Sequence, residues 1–156
     1  MKTLLFTLIL MSGLVLSAQK SIGEIKDTDE LTLNVKKLNQ TYVENNFALW
    51  TNLLSDNAVI YLNNSKVDKA TIINGFKFHH TIFNDIQIPN SVAQTNYKKN
   101  GTIWTTNWFN WQGTGNKTGI RYSNNSNFNF KWKDGKIIEL VGIYDSASLT
   151  MELNAK

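Results

Sequence analysis

The feature that most constrains the fold is a change of hydrophobic period part-way along the chain. Before Pro89, the only proline, most apolar residues recur at helical spacing, whereas after it they alternate in long runs separated by turn residues. The clearest turn is Asp134-Gly135, which lies between an aromatic run over 128–132 and an apolar run over 137–144. Asp-Gly between alternating runs is typical of a two-residue β-hairpin loop. Helices followed by an antiparallel meander predict an α+β domain.

The segment before Pro89 contains three predicted helices. Thr28 or Asp29 can cap the first, because their side chains accept hydrogen bonds from free backbone N–H groups. Its apolar stripe consists of Leu31, Val35, Leu38 and Tyr42. A second helical face runs over 47–54 and leads to a short strand over 58–62, and Asp68 opens a third helix.

The segment after Pro89 predicts a series of strands. Runs typical of strands cover 91–97, 102–112 and 137–144, with a loop expected over 113–116. The run 117–132 predicts either a pair of strands or one long bent strand, broken near Asn124-Asn125.

The first eighteen residues have the three parts of a secretory signal peptide. Lys2 supplies the positive start, an apolar stretch follows over 4–16, and Ser17-Ala18 supplies the small residues of a cleavage site. We therefore expect cleavage after Ala18, a secreted or periplasmic protein, and no membrane association after cleavage. The remaining chain divides into a flexible lead over 19–28 and one domain over 29–156.

Composition excludes several functional classes. The formal net charge is +4 and the basic residues are scattered, so no basic face predicts nucleic-acid binding. The chain has no Cys, which excludes disulfides and thiolate catalysis. Adjacent His79 and His80 project about 100° apart on a helix without a nearby carboxylate motif, so neither a metal site nor a cofactor is predicted.

Three segments resemble the nuclear-transport-factor-2-like (NTF2-like) superfamily, and within it the SnoaL-like branch. FALWTNLLSDNAVIYLNN resembles a helix, acidic turn and first strand of that family, and VDKATIINGFKFHHTIFNDI resembles its third helix. WKDGKIIELVGIYDSASL resembles the closing hairpin. The resemblance implies N-terminal helices packed in a strongly curved, mostly antiparallel sheet, which together form a cone with a ligand pocket. Such proteins include dehydratases, isomerases, polyketide cyclases and binding modules.

The specific catalytic groups of two branches are missing at the corresponding positions. The histidine and the acid of the polyketide-cyclase branch correspond to Phe128 and Gly142, and the base of a ketosteroid-isomerase-like protein corresponds to Leu62. Neither activity is therefore expected.

A different set of residues could transfer protons. His79 and His80 border the apolar face of the third helix, in an arc of roughly 120° that also contains Phe76 and Phe83. Imidazole titrates near neutral pH, so either histidine could act as a general base. Tyr61 and Tyr144 could polarise a carbonyl group, and Asp145 could orient a histidine. The alternative is that the histidines are packing residues and that Asp145 caps a strand end.

Another set could bind a ligand. Phe76, Trp104 and Trp108 could line an aromatic pocket, or they could belong to the core. Arg121, the only arginine, could grip a carboxylate if its strand face points into the cone.

The sequence thus predicts an exported SnoaL-like domain whose cone binds a small, largely apolar ligand, either aromatic or with a carboxylate or carbonyl group. A His-dependent lyase or isomerase is one alternative. A homodimeric interaction module is another, because apolar residues occur on both faces of the run 102–112.

Overall fold

The architecture is a curled, open sheet that wraps around three helices and carries a fourth at its C-terminal end. The computed structural model describes residues 23–156, and the predicted signal peptide lies outside them. The strands are β1 (Gly23–Lys26), β2 (Leu54–Leu62), β3 (Ser65–Val67), β4 (Phe83–Lys98), β5 (Ile103–Gly115), β6 (Arg121–Lys133) and β7 (Lys136–Tyr144). The helices are α1 (Glu30–Val43), α2 (Ala48–Leu53), α3 (Lys69–Ile82) and α4 (Ala147–Asn154). The α+β prediction is confirmed.

The strand order is β1-β4-β5-β6-β7-β2-β3, and only β2 and β7 pair in parallel. The meander from β4 to β7 therefore forms the centre of the sheet, as its turn signals predict. Asp134 and Gly135 both have positive φ, 51° and 72°, and join Lys133 to Lys136 in the hairpin. Positive φ at both central residues is the requirement of a type I′ turn, which matches the twist of the strands.

The predicted helix starts are confirmed by their caps. The Asp29 carboxylate accepts the Thr32 backbone N–H at 3.4 Å, and that of Asp68 accepts the Thr71 N–H at 2.7 Å. The end of α3 differs from the prediction, because Phe83 is the first residue of β4 and not a member of the helical stripe. Its ring is nevertheless buried in the core.

The segment 19–28 is not only a flexible lead, because residues 23–26 form β1 at the edge of the sheet, paired with 95–98 of β4. A chain of buried hydroxyl groups ties this edge to the interior. Thr32 Oγ1 donates to the Lys26 carbonyl at 3.2 Å and lies 2.7 Å from Thr95 Oγ1, which lies 2.8 Å from Thr105 Oγ1. Such pairs satisfy the polar groups that the core encloses.

The strands are longer than their hydrophobic runs. β5 continues to Gly115 through the predicted loop 113–116, and β6 is one strand from Arg121 to Lys133. The backbone ladder continues through polar residues because pairing with neighbouring strands, and not side-chain character, satisfies its N–H and C=O groups. The strand β3 and the helix α4 were not predicted.

The core lies between the concave face of the sheet and the helices. Alternate residues of β6, namely Phe128, Phe130 and Trp132, point inward and meet Leu38 and Trp50 of the helices, all of them buried. Among the described helices, none has the length and apolar character needed to cross a bilayer.

Candidate functional site

The concave face and the helices enclose a partly open cavity of about 210 Å³. Strands β2, β4, β5, β6 and β7, helices α1, α2 and α3, and the start of α4 contribute to its wall. Its aromatic lining residues are Tyr42, Trp50, Phe76, Phe83, Phe109, Trp111, Phe128 and Tyr144. Most ligand sites measure roughly 300–1,000 Å³, so this cavity suits a molecule smaller than a typical drug.

A hydrogen-bonded relay lies in the cavity wall. The Trp111 Nε1–H donates to the Tyr42 hydroxyl at 2.9 Å, and that hydroxyl lies 3.1 Å from Nδ1 of His79. The three residues come from β5, α1 and α3, so only the packing of the helices against the curled sheet brings them together. Gly113 makes room for this arrangement, because an added Cβ would lie 2.7 Å from the Trp111 ring.

Burial changes the acid–base properties of the relay. It lowers the pKa of His79 to about 4, with a further contribution from the neighbouring His80, so the imidazole is neutral at pH 7. Burial also raises the pKa of Tyr42 well above its usual value, although the Trp111 hydrogen bond opposes this. The relay is thus uncharged under physiological conditions.

Two hydroxyl groups face the cavity from paired strands. Ser126 of β6 and Tyr144 of β7 are register partners, and both line the cavity. Ser126 is only 6% exposed, and neither side-chain hydroxyl bonds to another residue within 23–156. Burial raises the pKa of Tyr144, which keeps its hydroxyl protonated.

Polar residues at the start of α4 form another part of the cavity wall. The Asp145 carboxylate accepts the Ala147 backbone N–H at 2.8 Å, and the Asn124 side-chain amide donates to Ser148 Oγ at 2.5 Å. Asp145 is the only charged residue among the described residues that line the cavity.

The far end of α4 is held by the loop between β5 and β6. The Glu152 carboxylate accepts the backbone N–H groups of Lys117 and Thr118 and the Thr118 hydroxyl, the last at 2.6 Å. Burial works against the charge, but these hydrogen bonds lower the pKa of Glu152. Gly115 is required here, because an added Cβ would overlap the Glu152 carboxylate. The Gly-rich segment 113–119 therefore binds a carboxylate of this same chain.

Solved structures of the same architecture were found by structural comparison. A "putative polyketide cyclase" from Xanthomonas campestris superposes with a TM-score of 0.63 at 14% identity, covering 79% of this chain and 96% of that one. A "putative isomerase" from Bacillus subtilis gives 0.61 at 16% identity, covering 80% and 92%. An NTF2-like protein from Anabaena variabilis gives 0.59 at 16% identity, covering 74% and 87%.

The chain has the NTF2-like fold. The resemblance in the sequence is thereby confirmed at the level of architecture. No protein-family model matches the sequence, and no curated protein matches it either.

The NTF2-like cone brings together four of the predicted site residues. Phe76, His79, Tyr144 and Asp145 all line the cavity. The expected partnership between a histidine and Asp145 is not formed, because His79 bonds Tyr42 whereas the Asp145 carboxylate caps the turn into α4.

His80 lies outside the cavity lining. Its Nε2–H donates to the backbone carbonyl of Tyr42 at 2.8 Å, near the C-terminal end of α1. The same carbonyl also accepts the Asn45 backbone N–H at 3.0 Å, so His80 adds a second hydrogen bond at the end of α1 and joins two helices.

The structure places four predicted ligand-binding residues away from the cavity, which corrects the sequence interpretation. Trp108 is 61% exposed on the convex face, and Trp104 shares that face, where Lys131 lies 5.6 Å from its ring. The inward residues of β5 are the odd-numbered ones, including Phe109 and Trp111. Tyr61, in β2, does not line the cavity.

Arg121 points away from the cavity. Its guanidinium donates to the Asp85 carboxylate at 2.9 Å and to the Asp85 carbonyl at 2.6 Å. Asp85 lies in an irregular part of β4 and has a φ of 50°. Arg121 therefore stabilises a bulge at the surface and does not grip a ligand carboxylate.

Sequence reasoning missed Tyr42, Trp111 and Ser126 as site residues. Tyr42 was assigned only to the apolar stripe of the first helix, and Ser126 belongs to a polar run without a motif. The parity of β5 offered a signal for Trp111, but it could not show which face points inward.

The positions of the missing cyclase and isomerase groups are filled by apolar packing. Phe128 and Gly142 are register partners, and a Cβ on Gly142 would lie 2.9 Å from both the Phe128 ring and Leu62. The ring therefore occupies the space that a side chain at position 142 would need. Within residues 23–156, no three His, Cys or acidic residues are arranged as metal ligands.

Proposed function

We propose that this NTF2-like domain binds a small, uncharged, largely apolar molecule in the cavity. The observation that carries the proposal is the wall itself, in which eight aromatic residues surround a few hydroxyl and imidazole groups. Apolar walls with a small number of polar groups are typical of ligand sites, since the former supply affinity and the latter orientation.

The charge distribution argues against a carboxylate ligand, which the sequence left open. No Lys or Arg is among the described residues that line the cavity, and Arg121 is bonded to Asp85 outside it. His79 is neutral, whereas Asp145 places a negative charge in the cavity wall. An anion would lose its hydration without gaining an ion pair.

Three compounds of similar shape test this proposal. Ethylbenzene and acetophenone are uncharged, whereas benzoate is an anion, and binding is measured by calorimetry and by quenching of tryptophan fluorescence. We expect the uncharged compounds to bind and benzoate to bind at least tenfold more weakly. Failure of both uncharged compounds to bind, or preferential binding of benzoate, would contradict the proposal.

Gly75 offers a variant that blocks the cavity without crowding the fold. It lines the cavity on α3, and an added Cβ would meet no atom within 4 Å. Gly75→Leu places a side chain in this open space and also favours the helix. Binding should be lost in Gly75→Leu and reduced less in Gly75→Ala, while both variants remain at least as stable as the wild type.

Binding is favoured over the alternative of a His-dependent lyase or isomerase. General-base catalysis by histidine commonly relies on a carboxylate that orients the ring and stabilises its charge. The Asp145 carboxylate instead accepts the Ala147 N–H, and burial lowers the pKa of His79.

We also propose that the protein is exported. The support is Lys2, the apolar stretch and Ser17-Ala18 in the sequence. Expression of the full chain in a Gram-negative host, followed by mass spectrometry of the periplasmic fraction, should give a protein that begins at Gln19. Recovery of the intact chain from the cytoplasm alone would contradict export.

The convex face supports a further proposal, that two copies associate through their sheets. Val92, Trp108 and Ile143 are 66%, 61% and 60% exposed. They lie in one row across four strands, because Val92 pairs with Trp108 and Asn127 pairs with both Trp108 and Ile143. The neighbouring convex residues are uncharged, namely Asn90, Gln94, Thr106, Asn110, Asn125 and Asn129.

Sedimentation of the purified protein tests the dimer. We expect a dimer in the wild type and a monomer in Trp108→Glu, which puts a charge in the middle of the row. Ile120→Glu is the control, because Ile120 is also exposed, at 47%, but lies outside the row. A wild-type monomer at high micromolar concentration would contradict this proposal.

A further inference from the structure

The relay in the cavity wall can be resolved into donors and acceptors by counting hydrogens. The Trp111 indole N–H can only donate, so the Tyr42 oxygen accepts at this contact. The Tyr42 hydroxyl has one hydrogen of its own, and the neighbouring acceptor is Nδ1 of His79, 3.1 Å away. If Tyr42 donates to Nδ1, each hydrogen in the relay has an acceptor.

The opposite arrangement leaves one hydrogen unpaired. If Nδ1–H donated to Tyr42, the tyrosine oxygen would accept twice, and its own hydrogen would find no other acceptor among the described residues. Tyr42 is only 6% exposed, and a polar hydrogen buried without a partner is unfavourable. The first arrangement is therefore the stable one.

The hydrogen bond that Nδ1 accepts from Tyr42 fixes the position of the histidine's own hydrogen. Neutral imidazole carries one hydrogen, so acceptance at Nδ1 places that hydrogen on Nε2. Burial supports the neutral form, because it lowers the pKa of His79 to about 4. Nε2 has no hydrogen-bond partner within residues 23–156 and is not sealed from solvent or ligand.

We infer that Tyr42 holds His79 as a fixed Nε2–H donor, and that the cavity thereby selects ligands with a hydrogen-bond acceptor such as a carbonyl oxygen. Tyr42 is a positioning residue in this scheme, and His79 is the specificity-determining group. The selection of ligands rests on the proposed binding function, whereas the state of His79 does not.

The free hydroxyl groups of the cavity do not make this choice. The Ser126 and Tyr144 hydroxyls can each donate or accept, so they adapt to either kind of ligand. The Asp145 carboxylate can only accept, and it accepts the Ala147 N–H at the start of α4. His79, in contrast, offers a hydrogen-bond donor alone. A ligand whose only polar group is a donor would leave that N–H without an acceptor in a largely apolar space.

The state of His79 can be measured without any ligand, from its side-chain ¹⁵N chemical shifts at pH 7. We expect a protonated Nε2 and an unprotonated Nδ1 in the wild type. In Tyr42→Phe no hydroxyl donates to Nδ1, and a mixture of the two tautomers is expected. Tyr122→Phe is the matched control, because Tyr122 is also buried but its hydroxyl lies beside Thr118 and not beside His79, so His79 should keep its wild-type shifts.

Binding of matched compounds tests the selection. In the wild type, acetophenone should bind about fivefold more tightly than ethylbenzene, as one neutral hydrogen bond allows. That ratio should fall towards one in His79→Phe and decrease in Tyr42→Phe, but stay unchanged in Tyr122→Phe.

The possible failures are distinguishable. A wild-type His79 protonated on Nδ1, or equal affinity for acetophenone and ethylbenzene, overturns the inference while binding itself stands. Wild-type tautomers in Tyr42→Phe overturn the role of Tyr42. Absence of binding by either compound, with Nε2 protonated, overturns the proposed function and with it the selection of ligands, but not the assignment of the tautomer.

Discussion

Removal of the Tyr42 hydroxyl is the sharpest test of the relay as a stabilising element. Tyr42→Phe keeps the buried ring, which packs edge-on against Phe76 with centroids 5.2 Å apart. The substitution removes one oxygen and one hydrogen and leaves two groups without partners, the Trp111 indole N–H and Nδ1 of His79.

The expected loss in the free energy of unfolding follows from those two groups. A buried polar group that loses its partner costs about 1–3 kcal/mol. Trp111 and His79 are half-buried and line the cavity, where water can reach them, so the lower end applies to each. We therefore expect the free energy of unfolding to fall by about 2 kcal/mol in Tyr42→Phe.

Urea unfolding followed by tryptophan fluorescence measures this change. At a slope of about 2 kcal/mol per molar urea, the midpoint should fall by about 1 M. Tyr122→Phe is the control, since Tyr122 is equally buried but its hydroxyl lies 3.3 Å from its partner Thr118, at the limit of a hydrogen bond. Equal midpoints for the two variants would refute the reasoning, because the loss would then not depend on the relay.

Three further predictions concern pH, the hold on α4 and a helix cap. Because the pKa of His79 is about 4 in the folded chain and near 6.5 when unfolded, the unfolded state binds the extra proton between these values. The free energy of unfolding should thus fall by up to about 1.4 kcal/mol per pH unit as the pH drops from about 6.5 to 4. The urea midpoint of His79→Gln should depend less on pH over this range. Gly115→Ala should displace the Glu152 carboxylate and raise hydrogen exchange in 146–154, with little change in α1; unchanged exchange would show that Glu152 does not hold α4. Asp68→Ala should lower the free energy of unfolding by about 1 kcal/mol, measured by urea unfolding, because the Thr71 N–H loses its cap. An unchanged free energy of unfolding would show that water satisfies this N–H as well as the carboxylate does.

The sequence by itself determined the local elements of this protein. Asp29 and Asp68 start helices because their carboxylates satisfy free backbone N–H groups, and Asp134-Gly135 forms a hairpin because its backbone accepts positive φ. These effects act between residues a few positions apart, so the order of the residues encodes them directly. The resemblance to NTF2-like proteins rests on the order of the same elements.

Only the tertiary structure decided which side chains meet in the cavity. The alternation along β5 separates Trp108 from Trp111, but the curvature of the whole sheet determines that Trp111 lies inside and Trp108 outside. The relay joins residues 37 and 69 positions apart, from Tyr42 to His79 and to Trp111. No local pattern predicts such contacts, because they depend on how the helices pack against the curled sheet, where buried polar groups must find partners.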